Sequence, residues 1–382
     1  MVPIQMVSPC VGGQHRRPRD LRHTGAVTTS DPDRREPSSD PSSEIDVRPA
    51  TEADLPAVLE LAHAALGWQP DDPNDAFFRW KHLENPAGRS PMWLATCDGQ
   101  VVGFRVFLRW RFRRDDGTIT EAVRAVDTAT SPDFQRRGIF RRLTLNGIDE
   151  LATRGIDFVF NTPNPQSQAG YLRMGWQTVG RVPIFVRPRN LTSITRMARA
   201  SAPAVKWSLR STVGDDAREV LADSGVGVLL DEMHASGMAA GKAASQSNGR
   251  STGGSGLTTD RTVEHLRWRY GFDPLAYRAI TIDGDPGRGL AVFRTRARGG
   301  AVEAVLCELL VRPGDRGAAR ALTTQIGRTS GADYLIATGR PIRTLIAVPR
   351  RGPVLTWRAI GPGLDAPLLD QWHLTMGDVE LF

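Results

Sequence analysis

The sequence predicts an α+β protein in which a mixed, mostly antiparallel sheet flanked by helices is built twice. Three observations carry this prediction. Between residues 92 and 130, three extended runs are separated by Asp98-Gly99 and Asp115-Asp116-Gly117, turns of the hairpin kind, which makes them an antiparallel meander. After Pro132 the apolar period switches from strand to helix, the pattern of a strand, a turn and a covering helix. Lastly, Arg79-Trp80-Lys81-His82 followed by Pro86 returns as Arg267-Trp268-Arg269-Tyr270 followed by Pro274, an offset of 188, and Gly103 with Phe107 returns as Gly289 with Phe293 at an offset of 186.

Residues 1–44 are rich in Ser, Pro and balanced charge, with no period of 2 or 3.6, and read as a disordered leader. Ile45-Asp46-Val47-Arg48 alternates like a strand. Thr51, with the acid Asp54 three residues on, predicts a capped helix through Leu55, Val58, Leu59 and Ala62. A second helix is expected over 75–83, and strands over 92–96, 101–112 and 119–130. The period is helical over 137–154, with Ile139, Leu143, Leu145, Ile148 and Leu151 apolar, and Gly155 stops it. A short buried strand over 156–161, a helix over 166–172 and a strand over 182–186 close the first unit, 45–189. Residues 190–259 are a helical connection ending in a Gly/Ser/Ala-rich loop or linker over 235–256. The second, degenerate unit is 260–382.

The chain has 382 residues, 40% hydrophobic and 24% charged, enough apolar material for a sizeable core. Its net charge of +7 comes almost wholly from arginine, since only Lys81, Lys206 and Lys242 are lysines. The cations are scattered along the chain, so nucleic-acid reading is not indicated. Cys10, Cys97 and Cys307 stand far apart and the histidines form no i, i+4 pair, which leaves no metal motif. With no run near 18 apolar residues and no secretory core, neither a membrane span nor export is predicted, and the chain reads as cytoplasmic.

The chemistry concentrates in Asp127-Thr128-Ala129-Thr130 and in Gln135-Arg136-Arg137-Gly138-Ile139-Phe140-Arg141. A strand, a tight basic turn with one glycine and a helix N-terminus aim backbone N–H groups at one place, where a pyrophosphate is held without any special side chain. At these residues the sequence resembles the GNAT acetyltransferase superfamily, whose acyl-CoA motif reads Gln/Arg-x-x-Gly-x-Gly/Ala after a strand. Gln135 to Ile139 match it. Phe140 stands where the family has a small residue, facing either the pantetheine or the core. Tyr171-Leu172-Arg173-Met174-Gly175-Trp176 is similar to the family's Tyr-x-x-x-Gly-Phe signature.

The resemblance implies direct attack of a primary amine on the thioester of acetyl-CoA, a co-substrate, with no metal. The amine's pKa of roughly 10 demands a proton acceptor. Asp127 is the expected base and Tyr171 the acid beside the leaving thiolate. Thr128, Ala129, Thr130, Gln135, Arg136, Arg137, Gly138, Ile139, Phe140, Arg141, Asn161 and Asn164 are expected to bind the co-substrate. The acceptor is a small-molecule or peptide amine. In the second unit, Gly314 replaces the expected Gln or Arg, so that copy is degenerate. Two other readings stay open: a tandem module that binds CoA or a partner without turnover, and an enzyme like the aminoacyl transferases of cell-wall peptides, against which Gln135 to Gly138 argue. The Arg-Trp pairs are expected to anchor a helix on each sheet.

Overall fold

A computed structural model describes residues 44–200, 202–247, 256–339 and 341–380. The expected leader lies outside the described residues up to residue 43, as do residues 248–255 of the expected linker. Strand β1 (Asp46–Pro49) leads to a short 3-10 turn closed by a capping box, in which the Asp54 carboxylate accepts from the backbone N–H and the hydroxyl of Thr51 at 2.7 and 2.8 Å. Helices α1 (Leu55–Ala65) and α2 (Asn74–Leu83) follow, then the meander β2 (Met92–Cys97), β3 (Gln100–Arg114) and β4 (Ile119–Thr130). Next come α3 (Ile139–Thr153), β5 (Phe158–Asn161), α4 (Pro165–Arg173), β6 (Gln177–Arg181) and β7 (Ile184–Pro188).

The connection holds α5 (Leu191–Arg199), β8 (Asp215–Asp216), α6 (Ala217–Val220), α7 (Ser224–Ser247) and β9 (Leu257–Thr259). The remainder is α8 (Val263–Tyr270), β10 (Arg278–Ile282), β11 (Asp285–Arg298), β12 (Ala301–Leu310), α9 (Arg316–Thr329), β13 (Tyr334–Thr338), β14 (Ile346–Val348), β15 (Val354–Ala359), β16 (Trp372–His373) and α10 (Met376–Val379). Both sheets are mostly antiparallel with helices against them, the predicted class. No helix among the described residues is long and apolar enough to cross a membrane.

The first sheet runs β1-β2-β3-β4-β5-β15-β6 and the second β14-β7-β13-β12-β11-β10-β8. The strand expected to close the first unit therefore exists as β7, but it pairs in the second sheet, between β13 and β14. In return, β15 enters the first sheet between β5 and β6. Periodicity identifies a run as a strand and says nothing of its partner. The two sheets share a further detail. The β3–β4 ladder pairs Arg105 with Thr128 and Val106 with Val126, leaving Asp127 bulged, and the β11–β12 ladder slips in the same place, leaving Cys307 bulged.

Two expectations are corrected here. Residues 235–247 of the expected linker are helical, the second half of α7. Val226, Leu229 and Leu230 bury the start of that helix, and the alanines beyond carry it on, because adding a residue to an existing helix is far easier than nucleating one. The Arg-Trp pairs do not each anchor a helix on its own sheet. Trp80 and Trp268 stack on one another, with ring centroids 5.3 Å apart, and each indole N–H donates to the other's backbone carbonyl at 3.0 Å. Arg267 does hold the carbonyls of Leu221 and Ala222, but Arg79 is exposed. The reciprocal tryptophans sit in one core cluster with residues of both halves, among them Leu108, Trp110, Leu266 and Leu290.

Candidate active site

The parallel pairing of β4 with β5 covers only Ala122–Arg124 against Phe158–Phe160. Beyond it the strands part, and β4 kinks at Asp127, whose φ is +25°. A cavity of about 540 Å³ opens there. Its walls are Ala125 to Thr128 of β4, Asn161 at the end of β5 and Asn164 after it, Phe140 of α3, Tyr171 of α4, and Trp68, Asn74 and Phe77 from the α1–α2 region. The C-terminal half completes it with Arg296, Arg298, Val379 and Glu380, and Lys206 comes from the connection.

Helix α3 starts behind Gly138, whose φ is +76°, and Arg136 two residues earlier is also left-handed at +64°. No side chain caps this end. The N–H groups of a first helical turn lack intrahelical acceptors, so the turn presents donors outward as an anion-binding concavity. Nothing lies within 4 Å of where a Cβ on Gly138 would stand, so the requirement for glycine here is its backbone angle together with free approach. In the second half, α9 begins at Asp315, whose carboxylate accepts the N–H of Ala318 at 2.8 Å. There the protein's own anion takes the place left open in α3.

Tyr171 is buried, and its hydroxyl oxygen accepts a hydrogen bond of 2.5 Å from Nη2 of Arg105. A guanidinium only donates, so the phenolic proton is left for another acceptor. Arg105 is fully buried among the rings of Phe107, Phe140 and Tyr171, 5.0–5.4 Å from their centroids, and its Nε and Nη1 find no hydrogen-bond partner among the described residues. The three ring faces offset part of the cost of burying this cation.

The Asp127 carboxylate is 2.7 Å from both Lys81 Nζ and His82 Nε2. Burial pushes its pKa up, but the Lys81 charge and the His82 hydrogen bond outweigh this and hold it well below the usual carboxylate range. His82, fully buried and bonded through Nδ1 to Ser90 Oγ at 3.0 Å, is pushed down by desolvation. Among the described residues, no carboxylate stands within 4 Å of Lys206 Nζ. Its Nζ donates to Asn74 Oδ1 at 2.8 Å and lies 4.1 Å from the centroid of the Phe77 ring and 4.5 Å from that of Trp207.

Residues 46–179 match the family model described as the acetyltransferase (GNAT) domain. They form a GNAT domain. A GCN5-related N-acetyltransferase from Kribbella flavida is similar in structure, with 14% identity over 83% of this chain and 72% of that one and a TM-score of 0.55. A conserved protein of unknown function from Enterococcus faecalis V583, described as a probable N-acyltransferase, follows with 13% identity, coverages of 83% and 73% and a TM-score of 0.56. A GCN5-related N-acetyltransferase from Anabaena variabilis gives 12%, 83%, 73% and 0.54. At such identities the likeness is one of fold, and it extends well beyond the GNAT domain. No curated protein matches the chain in sequence.

Within the GNAT domain, Asp127, Thr128, Phe140, Asn161, Asn164 and Tyr171 converge on the cavity. Gln135, Arg136, Arg137 and Gly138 stand outside it on the turn, as does Arg141 in the first turn of α3, with Arg137 over the Phe134 ring at 4.9 Å. Ala129 and Ile139 are buried in the core, so only their backbone can meet a ligand, and Thr130 lies past the cavity wall. Asn164 caps α4, accepting from Ser167 N at 2.8 Å. Asn161 accepts from Thr356 of the exchanged strand β15 at 2.5 Å. Phe140 lines the cavity and packs on Tyr171, with ring centroids 5.5 Å apart. Sequence reasoning missed Lys81, His82, Arg105 and Lys206. The recurring tetrapeptide held Lys81 and His82, and the scarcity of lysine marked Lys81 and Lys206, but neither signal gave them a role.

Proposed function

We propose that this protein transfers an acyl group, acetyl in the simplest case, from acyl-CoA to a primary amine. The observation that supports it most is the pairing of an uncapped, glycine-led helix start with a cavity holding a tyrosine whose proton is free to donate. In this reading the turn from Gln135 to Ile139 binds the phosphates through its N–H groups, with Arg136, Arg137 and Arg141 flanking. The pantetheine lies between the Thr128–Thr130 edge of β4 and Asn161 and Asn164, against Phe140. Tyr171 gives its proton to the departing sulfur, and Arg105 orients and polarises the phenol. Asp127, tied to Lys81 and His82, holds the kink that separates β4 from β5.

The C-terminal half, in the same proposal, is a degenerate copy that completes the acceptor wall and binds no acyl-CoA, because Asp315 already fills its helix start. Calorimetry with acetyl-CoA tests the site. Gly138→Asp adds a negative charge and strains a left-handed position, and should abolish binding while circular dichroism stays unchanged. Unaltered affinity in that variant removes the turn from the site.

A further inference from the structure

Resting on acyl transfer at this cavity, we propose that Lys206 is the general base that takes the proton from the acceptor's ammonium group. The argument begins with elimination. Of the acids lining the cavity, Asp127 is bound to Lys81 and His82, and Glu380 to Arg294 and Arg296. A carboxylate held by a cation and a hydrogen bond, as Asp127 is by Lys81 and His82, or by two cations, as Glu380 is, is a weak proton acceptor. Arg105, Arg124, Arg296 and Arg298 present only donors, since a guanidinium does not accept, and Tyr171 serves as the acid. Asp72 and Lys206 remain.

Lys206 is held as a base would need to be. Arg294 of β11 donates to its backbone carbonyl at 2.8 Å, and Asn74 accepts one of its N–H groups, leaving the lone pair of the neutral amine unengaged. Phe77, Trp207 and Trp68 surround Nζ at 4.1, 4.5 and 5.8 Å. The rings attract a cation without replacing its hydration. Burial first, and then the positive charge of Lys81 on α2, bring its pKa down to about 7, while Asp127 of β4 and Asp72 before α2 pull weakly the other way. Such a base is matched to neutral pH.

The protons balance. The acceptor ammonium gives one to Lys206 Nζ, and the freed amine attacks the thioester carbonyl to form the C–N bond. As the C–S bond breaks, Tyr171 protonates the sulfur and recovers a proton from the new amide nitrogen. Lysine-ammonium then returns its proton to solvent.

Two measurements test the proposal. Trace labelling of the folded protein with acetic anhydride across pH 5–11, read by mass spectrometry at each lysine, should show Lys206 titrating near 7, against roughly 10 in the denatured chain. A midpoint above 9 overturns the proposal whether or not turnover is seen. With acetyl-CoA and phenethylamine as the probe acceptor, Lys206→Met should lower kcat/KM at pH 7 by about a hundredfold to ten-thousandfold and erase the rise in rate through pH 7, with calorimetric affinity for acetyl-CoA unchanged. Lys206→Arg should be as poor, because it keeps the charge and the bond to Asn74 but not the basicity. Rescue by Arg, or loss of the pH-dependent rise in Asp72→Asn instead, overturns it. Failure of the wild type to bind acetyl-CoA strikes the acyl-transfer reading itself, a separate result.

Discussion

Tyr171 and Arg105 form a pair in which each explains the other. The arginine would be a costly buried cation without the rings and the phenol oxygen, and the phenol would be free to rotate without the arginine. Tyr171→Phe keeps the ring and removes the proton, so turnover should fall by one to three orders of magnitude with little change in acetyl-CoA affinity. Full activity would exclude the phenol from the reaction. Asp127 calls for a different measurement. Asp127→Asn leaves Lys81 buried without its counter-ion, a loss of about 3–5 kcal/mol readable in urea denaturation. Because the folded-state pKa of Asp127 is depressed, its contribution is present above the ordinary carboxylate range and drains away as pH falls through that range toward the lower folded value. The stability gap between wild type and Asp127→Asn should therefore close on acidification.

At the scale of elements, the informative contrast is between two helix starts that each follow an antiparallel strand pair. Helix α3 begins on an uncapped glycine, and α9 begins on Asp315, which caps it. A cap of this kind contributes about 1 kcal/mol to its own helix and fills the position an incoming phosphate would need. The chain should therefore bind one acetyl-CoA, and Gly317→Asp in α9 should leave that stoichiometry intact. Two equivalent sites by equilibrium dialysis would show that Asp315 does not exclude the ligand. The bulges at Asp127 and Cys307 make a second contrast. The bulge recurs, but the polar group that faces the cavity in the first sheet is replaced by a buried thiol whose pKa burial pushes up.

Across the whole molecule, the exchange of β7 and β15 makes each sheet depend on the other half. β15 also reaches the site: Thr356 holds Asn161, and Arg358 donates to the carbonyl of Met174 at the end of α4, at 2.6 Å, just beyond Tyr171. Deleting residues 260–382 removes the strand between β5 and β6 and uncovers Trp80, Trp110 and Phe158. The fragment should be insoluble and inactive, since it would expose both unpaired strand edges and a large apolar face. A soluble, active 1–259 fragment would refute this dependence.

Local sequence determined the elements and the turn. Alternation over 119–130 and the apolar stripe of Ile139, Leu143, Ile148 and Leu151 are properties of nearby residues, so β4 and α3 lie where the pattern puts them. The glycine-led turn is equally local, because a left-handed angle at Gly138 depends on that residue. The recurring Arg-Trp tetrapeptide marked two tryptophans that meet in the core, though not the contact they make. Tertiary structure alone decided which sheet β7 and β15 join, that Trp80 meets Trp268, and that Lys81, His82, Arg105 and Lys206 gather around one cavity. Strand partnership and the protonation of a buried amine depend on groups distant in sequence, through burial and charge, and neither leaves a local pattern.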